Sequence, residues 1–133
     1  MADQYIWDPL RKKKVALTPE EKVRQWFIST LIQAGVPQHR MMSEVQMAFG
    51  DKALRADILI YGRDGAPLAI VECKEPEVEI SAKTAQQALL YYAVLKAEFI
   101  FLTNGKKTYI YKRKGESFDA MDHFPDLAEM EKR

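Results

Sequence analysis

Cysteine, histidine and long apolar runs are scarce in this chain of 133 residues, and each shortage excludes a class of protein. The single cysteine, Cys73, has no partner for an intramolecular disulfide, and one cysteine with two histidines does not suit a zinc site. No apolar run approaches the roughly 18 residues of a membrane span, so we expect no membrane partner. The first residues lack the basic and apolar regions of a secretory signal, which predicts a cytoplasmic protein.

The composition is that of a globular domain whose charges are unevenly distributed. Hydrophobic residues make up 47% of the chain and charged residues 29%, and the length predicts one domain over residues 1–133. Residues 116–133 contain six acidic and two basic residues, whereas basic clusters lie at residues 11–14 and around Lys106 and Lys107. Such clusters can bind phosphates of nucleic acid, and a solvated surface is the simpler interpretation of each cluster taken by itself.

Periodicity and turn residues predict an α/β (α+β) fold with the order α, three β, α, two β. The predicted elements are a helix over residues 19–34, strands over Met42–Phe49, Leu54–Tyr61 and Pro67–Lys74, a helix from Ser81 through Lys96, and strands over Phe99–Thr103 and Thr108–Lys112. Thr18, Pro19 and Glu21 form a capping-box start for the first helix. Residues 1–17 and the tail from Ser117 have weak periodicity, and we expect them to be mobile or to dock onto a partner chain.

The strand PLAIVECK carries two charges at the end of an apolar run. Side chains alternate along a strand, so Glu72 and Lys74 share one face and Cys73 points to the other. Charges in such a strand need a partner or a function. Cys73 is expected to be a small buried residue rather than a nucleophile, because neither His39 nor His123 has a reason to lie near it.

Asp57 supplies a partner across the predicted hairpin. If paired residue numbers sum to 129, Asp57 faces Glu72; if they sum to 127, Asp57 faces Ile70 and Glu72 is its diagonal neighbour. Both registers cluster Asp57, Glu72 and Lys74. Opposed carboxylates repel unless a cation lies between them, and hard oxygen ligands favour Mg²⁺ or Mn²⁺.

The cluster predicts phosphodiester hydrolysis. We expect Asp57, Glu72 and the backbone carbonyl of Cys73 to hold a divalent ion that activates water. Lys74 would orient the water or stabilise negative charge on phosphorus.

Asp57, a spacer of 14 residues and the run Glu72, Cys73, Lys74 resemble the D…ExK core of the PD-(D/E)xK nuclease superfamily, whose fold has an αβββαβ core with a mixed central sheet. More narrowly, five segments resemble the N-terminal nuclease domain of type I restriction enzyme motor subunits: LTPEEKVRQ (17–25), RADILIY (55–61), VECK (71–74), QALLYYA (87–93) and LTNG (102–105). The resemblance covers about residues 17–113 and leaves 1–16 as an extension and 117–133 as an acidic tail. It implies an endonuclease acting on DNA with Mg²⁺ or Mn²⁺.

The resemblance also assigns roles outside the central strands. Gln87 and Tyr91 correspond to a QxxxY motif on the second helix, so they would contact the substrate or steady the catalytic strand. Glu21 corresponds to a helix-one acid that reaches the metal, although its place in the capping box explains this residue equally well. The basic cluster, rather than the resemblance, indicates Lys106 and Lys107 as phosphate contacts.

The chain contains no GxxxxGK[ST] loop and no helicase motor, so we do not expect ATP-driven translocation from it. Three functions follow as alternatives: a nuclease, a non-catalytic module that binds nucleic acid or a partner, and a structural interaction domain. The nuclease would act alone, as a homodimer, or with separate motor and specificity subunits. Tyr5 and Trp7 would stack on bases or pack against the domain, and we expect packing.

Overall fold

The structure is a computed structural model that describes residues 4–132, with the side chains of Phe49 and Lys52 left out. Its helices and strands are β1 (Tyr5–Asp8), β2 (Lys13–Ala16), α1 (Pro19–Gln33), β3 (Met41–Phe49), β4 (Lys52–Tyr61), β5 (Pro67–Cys73), α2 (Ala82–Tyr92), β6 (Phe99–Thr103), β7 (Thr108–Lys114), β8 (Ser117–Ala120) and α3 (Leu127–Met130). Within residues 4–132, no helix is long and apolar enough to cross a membrane.

Side-chain caps fix where the two long helices begin. The Thr18 hydroxyl accepts the Glu21 N–H at 3.1 Å, and the Ser81 hydroxyl accepts the Thr84 N–H at 3.1 Å. The start of α1 is therefore as predicted. Helix α2 ends at Tyr92, earlier than expected, because the chain tightens into a 3₁₀ turn and Lys96 then adopts a left-handed conformation with φ of 54°.

Six strands form one sheet in the order β3-β4-β5-β6-β7-β8. Strands β5 and β6 are parallel, since α2 crosses over between them, and the neighbouring pairs are antiparallel. Helix α1 packs its apolar side on one face and α2 covers the other. The predicted fold of a mixed sheet flanked by helices is confirmed.

The two ends of the chain differ from the expectation of mobile or partner-bound segments. Strands β1 and β2 form a separate hairpin, and its Asp8 side chain is buried. At the other end, the Leu127 N–H donates to the Ala34 carbonyl at 2.9 Å, and Arg40 pairs with Glu131 at 2.8 Å. These contacts are polar and join distant parts of the sequence, so hydrophobic periodicity does not reveal them.

Candidate functional site

Strands β4 and β5 pair in the first of the two registers expected from the sequence. Ile58 faces Val71 and Leu59 faces Ile70, so the numbers sum to 129, with an irregularity beyond Ile60 near the turn. The ladder extends no further toward Asp57. Instead, Asp57 Oδ2 accepts the N–H of Cys73 at 2.7 Å, which ties its carboxylate to the residue between Glu72 and Lys74.

Strand β4 twists at Asp57, so that its residues change which face of the sheet they pack on. Leu54 and Ala56 pack in the core on the α2 face, whereas Ile58 packs in the core on the α1 face. Residues two apart on a regular strand share a face, so the strand rotates between Ala56 and Ile58. Glu44 on β3 lies across from this point and has a positive φ of 56°. The two irregular positions allow both acidic side chains to contact helix α1.

Their common partner is Arg24 of α1, whose residue is only 3% exposed. Its guanidinium lies 2.7 Å from Glu44, 3.0 Å from Glu21, 3.2 Å from Asp57 and 3.3 Å from Glu20. The Arg24 Nε is buried, and no described residue forms a hydrogen bond with it. A buried charge requires such pairing, so Arg24 and its carboxylates form one coupled cluster.

Glu21 belongs to this cluster rather than standing free at the helix start. Its Oε1 also pairs with Arg11 at 2.6 Å, and its Oε2 accepts from Gln25 at 3.0 Å. Both oxygens therefore have N–H donors, and the carboxylate is nearly buried. The role of Glu21 as a metal ligand stays a prediction.

Glu72 and Lys74 open onto a groove on the α2 face with a volume of about 350 Å³. Its lining residues are Arg55, Glu72, Lys74, Thr84, Gln87, Ala88 and Tyr91. The structure thus brings Gln87 and Tyr91 together with Glu72 and Lys74. Lys74 Nζ lies 3.7 Å from Glu72 Oε2, and the Tyr91 hydroxyl accepts the Arg55 N–H at 3.0 Å. The lining does not include Asp57.

Tyr92 orients Glu72 from inside the core. Its hydroxyl donates to Glu72 Oε1 at 2.9 Å, and its ring is almost completely buried. Burial, and then the negative charge of Glu72, raise the pKa of Tyr92, so the phenol stays a neutral donor. The sequence analysis gave Tyr92 no role of its own. A buried tyrosine hydroxyl needs a polar partner, and that requirement was the available signal.

Cys73 is buried on the α1 face. Burial, followed by the negative charge of Asp57, raises the pKa of its thiol, so the sulfur stays protonated and is a poor nucleophile. The expectation of a small buried residue is confirmed. The proposed ligand role of its carbonyl stays a prediction.

Lys106 and Lys107 lie away from the groove. They line a different cavity of about 270 Å³ beside Asn104, and Lys106 pairs with Glu77 at 3.3 Å. The structure does not bring these lysines to Glu72, and their predicted phosphate contacts would be made at a second location.

Asp57 and Glu72 are the carboxylates whose chemistry suits a hard divalent cation, and their roles as metal ligands stay predictions. Within residues 4–132, no group of three or more His, Cys, Asp or Glu side chains is arranged to hold a metal ion. Asp57 and Glu72 lie on neighbouring strands, and their side chains are 16% and 21% exposed. Mg²⁺ commonly binds one or two carboxylates and completes its shell with water and substrate phosphates, so oxygen donors of this kind are the type that it prefers.

The sequence analysis missed two residues of the cluster around Arg24, namely Arg24 itself and Glu44. Arg24 follows Glu20 by four residues and Glu21 by three, so helical spacing placed it beside both. The contact with Glu44 depends on the backbone irregularity in β3, which no sequence pattern indicates.

Known proteins resemble this chain in sequence and in fold. Residues 19–125 match the family described as type I restriction enzyme R protein N terminus. The endonuclease subunit of the type I restriction enzyme EcoAI of Escherichia coli is 37% identical over 82 residues, which cover 56% of this chain and 10% of that subunit. This chain therefore spans about a tenth of the length of that curated relative.

Two solved structures share the fold. A fragment assigned to the HsdR subunit of a type I restriction enzyme from Vibrio vulnificus YJ016 has a TM-score of 0.61 at 23% identity, covering 86% of this chain and 24% of that one. A protein of the DUF820 group from Anabaena variabilis, described as a nuclease, has a TM-score of 0.53 at 15% identity, covering 84% of this chain and 74% of that one. Since the family match extends over most of the sequence, the chain belongs to the type I restriction enzyme R protein N-terminal family.

Proposed function

We propose that this domain is a divalent-metal-dependent deoxyribonuclease that hydrolyses phosphodiester bonds in DNA. The observation that supports it best is that Asp57 is hydrogen-bonded to the residue between Glu72 and Lys74 at the end of one strand pair. Asp57 is bonded to the Cys73 amide, and the flanking residues Glu72 and Lys74 lie 3.7 Å apart. Membership in the R protein family supports the same chemistry.

The carboxylates are held in place before any substrate arrives. Tyr92 fixes one oxygen of Glu72, and the Cys73 amide fixes one oxygen of Asp57. In the proposal, Asp57, Glu72 and the Cys73 carbonyl hold Mg²⁺ or Mn²⁺. When bound, such an ion supplies Lewis acidity and lowers the pKa of water.

The remaining groove residues act on the substrate. Lys74 is a compact cation at the groove, so its ammonium stabilises negative charge that develops on the phosphoryl oxygens. Gln87 offers an amide donor and acceptor to the DNA backbone. Tyr91, held by the Arg55 N–H, forms a polar wall beside it.

The arginine cluster favours a second function. Asp57 Oδ1 is already paired with Arg24, which neutralises the carboxylates without any metal. The same fold would then be a non-catalytic module that binds nucleic acid or docks onto a partner subunit. Family membership supports action within a complex that contacts DNA. Cytoplasmic location, a homodimer and separate motor or specificity subunits are proposals on the same basis.

The nuclease proposal is tested by cleavage of labelled single-stranded, duplex and forked DNA with Mg²⁺ or Mn²⁺. Glu72→Gln should lower the rate by about 100-fold or more because it removes a proposed metal ligand, and Lys74→Met should do so because it removes the ammonium that stabilises negative charge on the phosphoryl oxygens. Glu77→Gln is the matched control, since Glu77 is exposed and pairs with Lys106 outside the groove. Equal rates for Lys74→Met and Glu77→Gln would refute the role of Lys74.

Calorimetric titration of Mn²⁺ separates the two functions. Wild type should show a binding site that Asp57→Asn loses. If the two traces agree and no variant affects cleavage, the non-catalytic module is the better description.

A further inference from the structure

The outer face of the β1–β2 hairpin presents two aromatic rings to solvent. Tyr5 is 64% exposed and Trp7 is 58% exposed, so the expectation that they pack against the domain is wrong. They are two residues apart on β1 and therefore share a face. Across the hairpin, Trp7 faces Lys14 and Tyr5 faces Ala16. Exposed aromatic side chains grouped in this way are typical of a binding surface.

The hairpin is closed by its own hydrogen bonds and joined to the domain by the ion pair of Arg11 with Glu21 and by the hydrogen bond from the Gln38 amide to the Pro9 carbonyl, so the rings are not exposed by fraying. Asp8, on its inner face, is fully buried and accepts the Leu10 N–H at 2.9 Å as well as a bond from Arg11. Where the strands enter and leave, the Leu17 N–H donates to the Gln4 carbonyl at 2.9 Å. The platform is preformed, which lowers the entropy lost on binding.

The charges beside the rings select a polyanion. Lys12, Lys13 and Lys14 are exposed, and within residues 4–132 no carboxylate pairs with any of them. An apolar protein segment would satisfy the rings but would leave Lys14, which shares their face opposite Trp7, without an anion. A nucleic acid strand with unpaired bases satisfies both, since bases stack on aromatic rings and phosphates pair with lysine.

We propose that this face is a stacking platform for single-stranded DNA, with Trp7 and Tyr5 as the stacking rings and Lys14 as the nearest phosphate contact. The hairpin lies before residue 19, outside the segment that matches the family. The inference rests on the proposed function because both concern DNA, and it adds that the DNA is bound as a single strand.

Contacts join the platform to the candidate site. Arg11, in the hairpin turn, pairs with Glu21, which pairs with Arg24, which in turn pairs with Asp57. DNA on the hairpin is thus bound next to the helix that carries the arginine cluster. The platform would hold a strand beside the site without taking part in hydrolysis.

The test uses the two tryptophans of the chain, Trp7 and Trp26, as separate reporters. Trp26→Phe leaves Trp7 as the emitter, and Trp7→Phe leaves Trp26, which is 46% exposed on α1 and serves as the matched control. Each protein is titrated with oligothymidylate of about 12 nucleotides in EDTA, so that no cleavage occurs. Trp7 emission should be quenched at saturation, while Trp26 emission should stay unchanged.

Affinity measurements give a second reading. By fluorescence anisotropy, Trp7→Ala should bind the oligonucleotide between about 5-fold and about 150-fold more weakly, the range for loss of one stacked base. Lys14→Ala should reduce the slope of log affinity against log salt by about 0.7. Neither side chain is buried, so both variants should keep the wild-type melting temperature.

Unquenched Trp7 at saturation, or equal affinity for Trp7→Ala and wild type, would overturn the inference. Because EDTA suppresses hydrolysis, this result is independent of nuclease activity. Quenching of Trp7 in a protein that cleaves no DNA would support the platform and refute the nuclease. Cleavage of DNA without quenching of Trp7 would support the nuclease and refute the platform.

Discussion

Replacing Arg24 with methionine should be severely destabilising. Methionine keeps an unbranched apolar side chain in the buried position and removes only the guanidinium. Glu21, Glu44 and Asp57 would then lie close together with no cation among them. Three carboxylates in a partly buried space repel one another, and the folded state carries that repulsion.

The magnitude follows from the distances and the burial. At 2.7 to 3.2 Å and an effective dielectric constant near 20, each of the three pairs attracts by about 5 to 6 kcal/mol before desolvation. Desolvation of Arg24 offsets much of this, and removing one partner of a buried ionic cluster typically costs about 3 to 5 kcal/mol. Glu20 adds little because its side chain is 47% exposed.

Thermal unfolding followed by circular dichroism measures the effect. For 133 residues the unfolding entropy is about 0.28 kcal/mol/K, so the loss corresponds to a drop in melting temperature of about 11 to 18 °C. Arg63→Met is the control, since that arginine side chain is 80% exposed, and its variant should change stability by less than about 0.5 kcal/mol. Millimolar Ca²⁺ should restore part of the loss in Arg24→Met by neutralising the carboxylates. Similar melting temperatures for the two variants would refute the cluster's contribution to stability.

Three further changes test other contacts. Tyr92→Phe should lower the unfolding free energy in urea by about 1 kcal/mol, because Glu72 loses its buried hydrogen-bond donor. The same variant should also cleave DNA more slowly than wild type. Burial alone would raise the pKa of Asp8, but hydrogen bonds from Arg11 and the Leu10 N–H together outweigh it and lower the pKa. The stabilising effect of Asp8 is therefore complete above the usual pKa of 3.8 and is lost as pH falls through the lower folded value. The stability difference between wild type and Asp8→Asn, from urea curves at pH 7 and at lower pH, should shrink on acidification. Phe27→Ala should lower the unfolding free energy by about 3 to 5 kcal/mol in the same assay, since the ring is fully buried.

Local signals made much of the fold predictable. The capping box at Thr18 marked the start of α1, and apolar runs bounded by glycine marked β4 and β5. The turn after Tyr61 limited the β4–β5 pairing to two registers, of which one is observed. The neighbourhood of Glu72, Lys74 and the second helix followed from that pairing and the family resemblance.

The cluster of Arg24 and its carboxylates could not be predicted from the sequence, for a physical reason. A strand that reverses its faces keeps the same spacing of apolar residues, so Ala56 and Ile58 look like neighbours on one face although they pack in different cores. The reversal turns Asp57 toward α1. The conformation of Glu44 that accompanies it depends on a backbone angle, which residue type does not specify outside glycine.

The order of the sheet has a consequence for how the candidate site comes into being. Strand β5 has a neighbour close in sequence, β4, and another, β6, that arrives only after the whole of α2. The Lys74 N–H donates to the carbonyl of Thr103, at the far end of that late strand. Pairing that spans a long loop forms slowly, because the entropy of closing the loop is lost before the contacts are gained. A nascent chain that stops before Phe99 would contain Asp57, Glu72 and Lys74 but no strand to hold the end of β5, so the groove is completed only after β6 has been synthesised and paired.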